Sequence, residues 1–510
     1  MKVLNEYDKI LAADGNIVVQ ASAGTGKTYT LVNKIRVDLE KYQGYKDIAA
    51  ITFTRKAASE IKNRIFELDS RHFIGTNNSF AVNEIIIPFI RDAFGKTFIK
   101  KSEDGKYRIE TNYDIKFSQY NQGLETISQE NVIGSYRDNK KNFVFEIALN
   151  IIKKSESCQK YLKSRFFRIY IDEYQDTDKA MHEFFMYIGD ILKIPLFIVG
   201  DDKQSIYVWR GAYTEQFNQL LNKKNYHAYM LSINYRSCQS IQNFSNLLNY
   251  ETMKYYQETN EKNVYIVVED SKDWLYILFN KLDFSKSIAI LARSNNAAKN
   301  YVDNANLTWK KDDFVQIKRC PVSDITTDDS WFYEGIANYA LTDGLFSEYD
   351  FIFSSPQEII SSDVKQKIKK YLITLKNIYH DKTQRKFYID KISSLVDVKL
   401  SEENYKKLSK AFDDEESKNV LKNNIKPYKH VTMTIHASKG LEYDQVIIFA
   451  KDYSDLRNDE NAKLHYVAVT RAKEKLFIVY TREDILYIKS IKNMFGKWNL
   501  NVEDICNVIR

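Results

Sequence analysis

A strand-like apolar run, a glycine turn and the start of a helix follow one another in VVQASAGTGKTYTL, residues 18–31. Gly24 and Gly26 let the backbone curl its N–H groups around phosphate oxygens, at the positive end of the following helix. Lys27 would reach the β- and γ-phosphates, and the Thr28 hydroxyl would ligate magnesium. The usual first glycine of such loops is replaced by an alanine, which is small enough to clear the bend. The stretch therefore predicts a phosphate loop for a nucleoside triphosphate, with these candidate residues: Ala21, Ser22, Ala23, Gly24, Thr25, Gly26, Lys27 and Thr28.

Two later segments add the carboxylates and the amide that hydrolysis of a triphosphate needs. In IYIDEYQD, Asp172 follows an apolar strand and is the candidate magnesium ligand, and Glu173 is the candidate general base for the attacking water. Two solvated carboxylates at a strand end are the alternative, which the phosphate loop upstream disfavours. In GDDKQSIYVWRGA, Gln204 is placed to sense the γ-phosphate.

The same segment also carries two aromatic residues and an arginine. Tyr207 and Trp209 are two positions apart and precede Arg210. On an extended segment the two rings face one way, so they would offer a platform for stacked DNA bases. A tryptophan alone is more often a core residue, but the grouping with a glutamine and an arginine favours the binding role.

Apolar strands alternate with amphipathic helices along the chain, which predicts an α/β fold with parallel sheets covered on both faces. The first core contains the strands NIVVQAS, DIAAITFT, FFRIYI and PLFIVG, and a helix is predicted over about Tyr29 to Leu39. A second α/β unit begins near MLSINYRS and includes SIAILARS, QVIIFA and KLFIVY. A mainly helical stretch interrupts each core, and the second includes the predicted helix LSEENYKKLSKAFDDEESKNVLKNN.

Composition narrows the class of protein. No apolar run approaches the ~18 residues of a membrane span, and the first ten residues lack the apolar core of a signal peptide, so we expect a soluble cytoplasmic protein without a membrane partner. The four cysteines are far apart and form no C-x-x-C, which argues against a disulfide framework or a zinc or iron–sulfur site. A net charge of +7 fits either a solvated surface or a cationic groove for nucleic acid.

Taken in order, these segments resemble the motifs of superfamily 1 DNA helicases of the UvrD/Rep type. ITFTRKAASEIKNRI resembles the motif that would place Phe53 and Arg55 near DNA. LSINYRSCQSI resembles the motif in which a tyrosine, here Tyr235, packs on adenine and an arginine, here Arg236, contacts the γ-phosphate.

Two motifs near the end of the chain extend this resemblance. TIHASKGLEYDQVII resembles the motif that would place Thr434 and His436 near DNA and Glu442 on the ribose. LHYVAVTRAKEKL resembles the motif whose arginine, here Arg471, is the second arginine finger. The likeness runs motif by motif from about residue 20 to about residue 476.

The resemblance implies an ATP-dependent DNA helicase of 3′-to-5′ polarity that uses ATP and Mg²⁺ and tracks along single-stranded DNA. It also implies two RecA-like P-loop domains, 1A and 2A, each interrupted by a mainly helical insertion, 1B and a reduced 2B. The expected boundaries are residues 1–76 and 164–228 for 1A, 77–163 for 1B, 229–294 and 431–510 for 2A, and 295–430 for 2B. The triphosphate would lie between the two RecA-like cores.

One departure from that family concerns the nucleotide base. Repair helicases place a glutamine shortly before the phosphate loop to read adenine, whereas LNEYDKILAADGN contains none and has Asp8 at the nearest position. We therefore expect ATP as the cofactor, with some tolerance of other nucleoside triphosphates.

Three stretches outside the general motifs are similar to the helicase-like subunits of Gabija antiviral defence systems. They are FIGTNNSFAVNEIIIPFIRDAFG, NVIGSYRDNKKNFVFEIALNIIKKS and DEYQDTDKAMHEFFMYIGDILKIPLFIVGD. This resemblance implies a hetero-oligomer with an OLD-like nuclease and action on single-stranded DNA or DNA ends. Two alternatives stay open, a stand-alone repair helicase and a DNA-end sensor whose nucleotide hydrolysis activates the nuclease without processive unwinding.

Overall fold

The computed structural model describes most of the chain: residues 5–65, 71–101, 107, 109–138, 140–206, 214–250, 252–268, 274–310, 314–318, 320–325, 329–342, 344, 346–355, 361–425 and 428–509. Two compact units are formed. The first contains Met1–Val264, Tyr453–Glu474 and Asp484–Asn507, and the second contains Tyr265–Asp452, Lys475–Glu483 and Val508–Arg510.

The strands are β1 Asn16–Ala21, β2 Asp47–Thr52, β3 Phe73–Thr76, β4 Glu110–Phe117, β5 Val132–Tyr136, β6 Phe166–Ile171, β7 Leu196–Gly200, β8 Tyr226–Leu231, β9 Val264–Val268, β10 Ile288–Ala292, β11 Phe314–Gln316, β12 His430–Thr434, β13 Tyr443–Phe449, β14 Ala472–Tyr480 and β15 Asn507–Ile509.

The α-helices are α1 Glu6–Ala12, α2 Lys27–Lys41, α3 Arg55–Arg64, α4 Asn77–Phe80, α5 Ile87–Phe94, α6 Tyr120–Glu130, α7 Phe143–Lys154, α8 Glu156–Arg165, α9 Lys179–Met186, α10 Thr214–Leu221, α11 Gln239–Leu247, α12 Trp274–Phe279, α13 Asn295–Trp309, α14 Ser330–Leu341, α15 Glu348–Ser354, α16 Ser362–Ile378, α17 Lys382–Leu395, α18 Glu402–Asp413, α19 Glu415–Ile425, α20 Asp459–Val469, α21 Ile485–Gly496 and α22 Val502–Ile505. Short 3₁₀ turns lie at Tyr174–Asp176, Asp202–Gln204, Met253–Tyr255, Pro321–Asp324 and Ala450–Asp452, and π-helical turns at Ala81–Ile86 and Tyr187–Ile191.

A parallel sheet of six strands forms the centre of the first unit. Its order is β3-β2-β6-β7-β1-β8, and each neighbouring pair is parallel. β1 lies between β7 and β8, with Val18 opposite Ile198 on one side and Gln20 opposite Met230 on the other. The carboxyl ends of β1, β6 and β7 therefore meet at one edge, where ligands bind in open α/β sheets.

Both faces of this sheet are buried, because successive residues of a strand point to opposite sides. Val18 packs into one apolar core with Ile169, whereas Ile17 and Val19 pack into a second core with Tyr170. All three β1 residues have no exposed surface. This two-sided burial explains why Ile17, Val18 and Val19 are consecutive apolar residues.

The stretch between β3 and β6 is mainly helical, with α4 to α8 and a small parallel pair of strands, β4 and β5. Edge-to-face contacts join Phe117 to Phe143 and Tyr136 to Phe143, with ring centroids 4.8 Å and 5.7 Å apart. These aromatic residues belong to the same apolar core as Val18, so the stretch packs directly on the sheet.

The second unit has a seven-stranded sheet in the order β11-β12-β10-β13-β14-β9-β15, in which β10 is parallel to both β12 and β13. Helices α14 to α19 enclose a separate apolar core that includes Phe332 and Leu372. Within it, Arg385 is 1% exposed and donates to Asp413 Oδ1 at 3.0 Å.

The predicted α/β class with parallel sheets and mainly helical interruptions is confirmed, whereas the expected domain boundaries stay a prediction. α2 begins two residues before its predicted start because the left-handed Gly26 directly precedes Lys27. The predicted helix near residues 400–424 forms as α18 and α19, separated by an extended Asp414. In the described part of the chain, no helix combines the length and apolar character needed to cross a bilayer.

Candidate nucleotide site

The phosphate loop joins the carboxyl end of β1 to the first residue of α2. Its backbone φ is +74° at Gly24 and +83° at Gly26, a left-handed conformation that favours glycine. Because α2 begins immediately afterwards, the N–H groups of its first turn are available to an anion at the loop. The local geometry is that of a phosphate cradle.

Lys27 is the cation of this cradle. Its Nζ donates to the carbonyl oxygen of Ala21 at 3.3 Å, across the loop. Burial lowers the pKa of Lys27, while the carboxylates of Glu173, Asp201 and Asp172 act in the opposite direction. A triphosphate would add further negative charge here and would favour the ammonium form.

Thr28 and Asp172 lie together, as the sequence predicts for a magnesium site. The Thr28 hydroxyl donates to Asp172 Oδ2 at 3.4 Å, and Asp172 is 2% exposed. Burial, followed by the neighbouring charge of Glu173, raises the pKa of Asp172 to about 7. A hydroxyl and a carboxylate beside a phosphate loop are the hard oxygen ligands that Mg²⁺ prefers, so the donor set fits this ion.

Glu173 is the second residue after the buried strand β6, and its backbone is left-handed, with φ +53°. Its N–H donates to Asp172 Oδ1 at 2.9 Å, and its Oε2 accepts from Gln175 Nε2 at 2.5 Å. The other end of Gln175 accepts from the N–H of Asp201 at 2.9 Å. Gln175 thus bridges the carboxyl ends of β6 and β7 and holds the proposed base.

Gln204 occupies the 3₁₀ turn after β7. Its Nε2 donates to Asp201 Oδ2 at 2.6 Å, and its Oε1 accepts from Arg471 at 3.4 Å. Although burial acts to raise it, the charges of Lys203 and Lys27 hold the pKa of Asp201 below its usual range. The structure therefore brings Gln204 and Arg471 together, 267 positions apart in sequence.

Arg236 and Tyr235 approach the phosphate loop from the segment after β8. Tyr235 N–H donates to the carbonyl oxygen of Gly24 at 2.9 Å. A Cβ added at Gly24 would lie 2.2 Å from Asn234 Oδ1 and 2.9 Å from Arg236 Cβ. The ring of Tyr235 is 78% exposed, as a surface for a nucleotide base requires.

Three residues of this site were not predicted from the sequence: Asn234, Tyr466 and Gln175. Asn234 Oδ1 accepts from the N–H groups of Arg236 at 2.7 Å and Ser237 at 3.1 Å. Each of the three lies next to or within a motif that the sequence did single out. However, Gln175 accepts from Asp201, Tyr466 accepts from Ala23, and Asn234 lies against Gly24, and these partners are distant in the sequence. Motif spacing carries no signal for such pairs.

The candidate DNA-binding residues are described in part. Phe53 is half-buried against the core of the first unit, and Arg55 begins α3. Tyr207, Trp209 and Arg210 lie outside the described residues.

The remaining candidates lie in the second unit. Thr434 ends β12, and its Oγ1 accepts from Ala437 N–H at 3.2 Å, which shapes the turn that carries His436. Both side chains are half-buried, whereas Glu442 is exposed ahead of β13.

The sequence matches two families of helicase domains. The family described as "UvrD/REP helicase N-terminal domain" matches residues 5–146 and 91–225, and "UvrD-like helicase C-terminal domain" matches residues 430–479. These ranges include the phosphate loop, both carboxylates and the second arginine. The chain belongs to the UvrD/REP family of DNA helicases, enzymes that hydrolyse ATP.

Individual relatives narrow this assignment. The chain is 38% identical to "Gabija protein GajB" of Bacillus cereus (strain VD045) over 492 residues, which covers 92% of this chain and 94% of that protein. It is 24% identical to "ATP-dependent DNA helicase PcrA" of Bacillus subtilis (strain 168), over 98% of this chain and 84% of that protein. A "Probable DNA helicase II homolog" of Mycoplasma genitalium is also 24% identical, over 93% of this chain.

Proposed function

We propose that this protein is the helicase subunit of a bacterial antiviral defence complex, in which it moves 3′ to 5′ on DNA and works with an OLD-like nuclease. The observation that carries the proposal is the convergence around one phosphate loop of Lys27, the Thr28–Asp172 pair and the segment of Arg236. The identity with Gabija protein GajB supports the defence role. Because its substrates are DNA and nucleotides, a cytoplasmic location is part of the proposal.

Hydrolysis would use the residues of the loop and its surroundings in distinct roles. Thr28 and Asp172 would hold Mg²⁺, and Glu173 would orient and deprotonate the attacking water. Arg236 and Arg471 would neutralise charge on the transferred phosphoryl group, an effect worth about 10³–10⁵ in rate in other NTPases. Gln204, which contacts Arg471, would report the γ-phosphate to that arginine.

Nucleotide recognition would rest on two further side chains. Tyr235, exposed beside Gly24, would stack on the base, and Glu442 would bind the ribose. The position expected to read adenine is Asp8, in the first turn of α1. Because a carboxylate has no N–H to donate, it cannot copy both hydrogen bonds of a glutamine amide, which supports tolerance of bases other than adenine.

DNA would be gripped by aromatic stacking and by contacts to phosphates. The candidate contacts are Tyr207, Trp209, Arg210, Phe53, Arg55, Thr434 and His436. Stacking is tolerant of sequence, and phosphate contacts release counterions, so affinity for single-stranded DNA should fall steeply with salt.

Loss of the loop lysine or the general base tests the hydrolytic site. We expect Lys27→Ala and Glu173→Ala to abolish DNA-stimulated ATP hydrolysis in the purified chain, because phosphate grip and water activation are removed. Lys41→Ala, at the exposed end of the same helix, is the matched control and should keep wild-type turnover. Wild-type turnover in either active-site variant would defeat the assignment.

A second experiment separates the helicase from the alternatives. The chain is co-expressed and purified with an OLD-like nuclease subunit, and strand displacement and nuclease activity are measured on DNA with free ends. Displacement that needs hydrolysis supports the motor. ATP hydrolysis that activates the nuclease without strand displacement supports a DNA-end sensor. If the two proteins do not co-purify, the result supports a stand-alone helicase.

A further inference from the structure

Tyr466, on α20, reaches the phosphate loop although it belongs to none of the assigned site residues. Its hydroxyl accepts from the N–H of Ala23 at 3.2 Å, and the side chain is only 9% exposed. Burial raises the pKa of Tyr466, so the hydroxyl keeps its proton and brings no charge to the loop. One N–H of the phosphate loop is thus held by a residue 443 positions away.

The backbone of Tyr466 is tied to Thr470 one helical turn later. Its carbonyl oxygen accepts from the Thr470 N–H at 3.1 Å and from the Thr470 hydroxyl at 2.8 Å. Thr470 in turn accepts from both arginines of the site. Arg236 donates to its carbonyl oxygen at 3.1 Å, and Arg471 donates to its hydroxyl at 3.3 Å.

The path returns to Tyr466 through the end of β7. Arg471 donates to Gln204, and Gln204 donates to Asp201 at 2.6 Å. Asp201 pairs with Lys203 at 2.9 Å, and the ammonium of Lys203 lies 5.8 Å from the centre of the Tyr466 ring. The contacts form a closed ring that contains Tyr466, Thr470, Arg471, Gln204, Asp201 and Lys203. The phosphate loop joins this ring at Tyr466, and Arg236 joins it at Thr470.

We propose that Tyr466 is a positioning residue for hydrolysis, which fixes the phosphate loop relative to the two arginines through its hydroxyl and through Thr470. A tyrosine ring is rigid and has only two side-chain torsions, so a shift of the loop at Ala23 moves the helical turn that ends at Thr470. Loss of the hydroxyl leaves the phosphate loop and both arginines intact but shifts the loop relative to the arginines. This inference rests on the proposed function, because it assigns Tyr466 to the same hydrolytic site.

The test is Tyr466→Phe, which keeps the ring and removes only the hydroxyl. We expect kcat for DNA-stimulated ATP hydrolysis to fall about tenfold, the effect of one lost hydrogen bond to a buried group. KM for ATP and the Kd for single-stranded DNA should change less than about threefold. In an Arg471→Lys background the same substitution should lower kcat by a smaller factor than in the wild type, because part of its effect passes through that arginine.

Tyr487→Phe is the matched control. Tyr487 is fully buried, and its hydroxyl lies 2.8 Å from Nε2 of His465. His465 precedes Tyr466 on α20, so both tyrosine hydroxyls make one buried contact that involves this helix. Tyr487→Phe should lower the melting temperature as Tyr466→Phe does, with kcat unchanged. The inference is overturned if Tyr466→Phe keeps the wild-type kcat, or if Tyr487→Phe lowers kcat equally. It is also overturned if Tyr466→Phe lowers kcat by the same factor in the Arg471→Lys background as in the wild type. If Lys27→Ala is inactive while Tyr466→Phe is unaffected, only this inference fails and the proposed function stands.

Discussion

Substitution of Gly24 by alanine tests how closely the phosphate loop approaches the segment of Arg236. An alanine with φ near +74° is strained by about 1–2 kcal/mol. Its Cβ would also lie 2.2 Å from Asn234 Oδ1 and 2.9 Å from Arg236 Cβ, and such overpacking costs about 1–3 kcal/mol more. We therefore expect Gly24→Ala to lower the free energy of unfolding by about 2–5 kcal/mol.

Gly15→Ala is the matched control, because it isolates the backbone strain. Gly15 has φ +76°, and a Cβ there would lie 3.9 Å from His227, an ordinary contact. It should therefore cost only about 1–2 kcal/mol. Urea unfolding of both variants gives the difference, and ATP hydrolysis should be lost in Gly24→Ala alone. Equal stability and equal activity of the two variants would mean that Asn234 and Arg236 do not lie as close to Gly24 as described.

Three more predictions concern stability and DNA binding. Lys34→Met should cost about 2–4 kcal/mol in urea unfolding, because two buried carbonyl groups lose their donor, while Asp38 keeps Arg168 and Tyr170 as partners. Lys41→Met on the same helix should cost less than about 0.5 kcal/mol. Burial lowers the pKa of His465 from 6.5 to about 3, so between these pH values the imidazole binds a proton in the unfolded chain but not in the folded one. The free energy of unfolding should therefore fall as pH falls from about 6.5 towards 3. His465→Gln should remove this dependence, which amounts to at most about 1.4 kcal/mol per pH unit. Trp209→Ala should weaken binding to single-stranded DNA by about 1–3 kcal/mol in a fluorescence anisotropy titration, whereas the surface control Trp498→Ala should leave the Kd unchanged. If the Kd of Trp209→Ala equals that of the control, Trp209 is a core residue and does not stack on DNA bases.

Sequence patterns predicted those parts of the fold that depend on neighbours along the chain. β1, β2, β6 and β7 form where apolar runs predict them, because a strand buried on both faces must be mostly apolar. The phosphate loop is likewise local, since its glycines and the start of α2 are adjacent. Asp172 could be placed beside Thr28 because both follow strands whose carboxyl ends meet.

Contacts between distant segments could not be predicted in this way. Tyr466 and Ala23, or Asn234 and Gly24, meet only after the sheet has formed, and no spacing rule relates their positions. The resemblance to a helicase family supplied Arg236 and Arg471 as a pair, but not Thr470, which accepts from both. The boundaries of the four expected domains also stay a prediction, since no local pattern marks where one core ends and the next begins.

The most direct test of the account is a crystal structure with Mg²⁺ and a non-hydrolysable ATP analogue. We expect the γ-phosphate to accept hydrogen bonds from Lys27, Arg236 and Arg471, with Mg²⁺ bound by Thr28 and, directly or through water, Asp172. An analogue bound away from residues 21–28, or a γ-phosphate that neither arginine contacts, would contradict it.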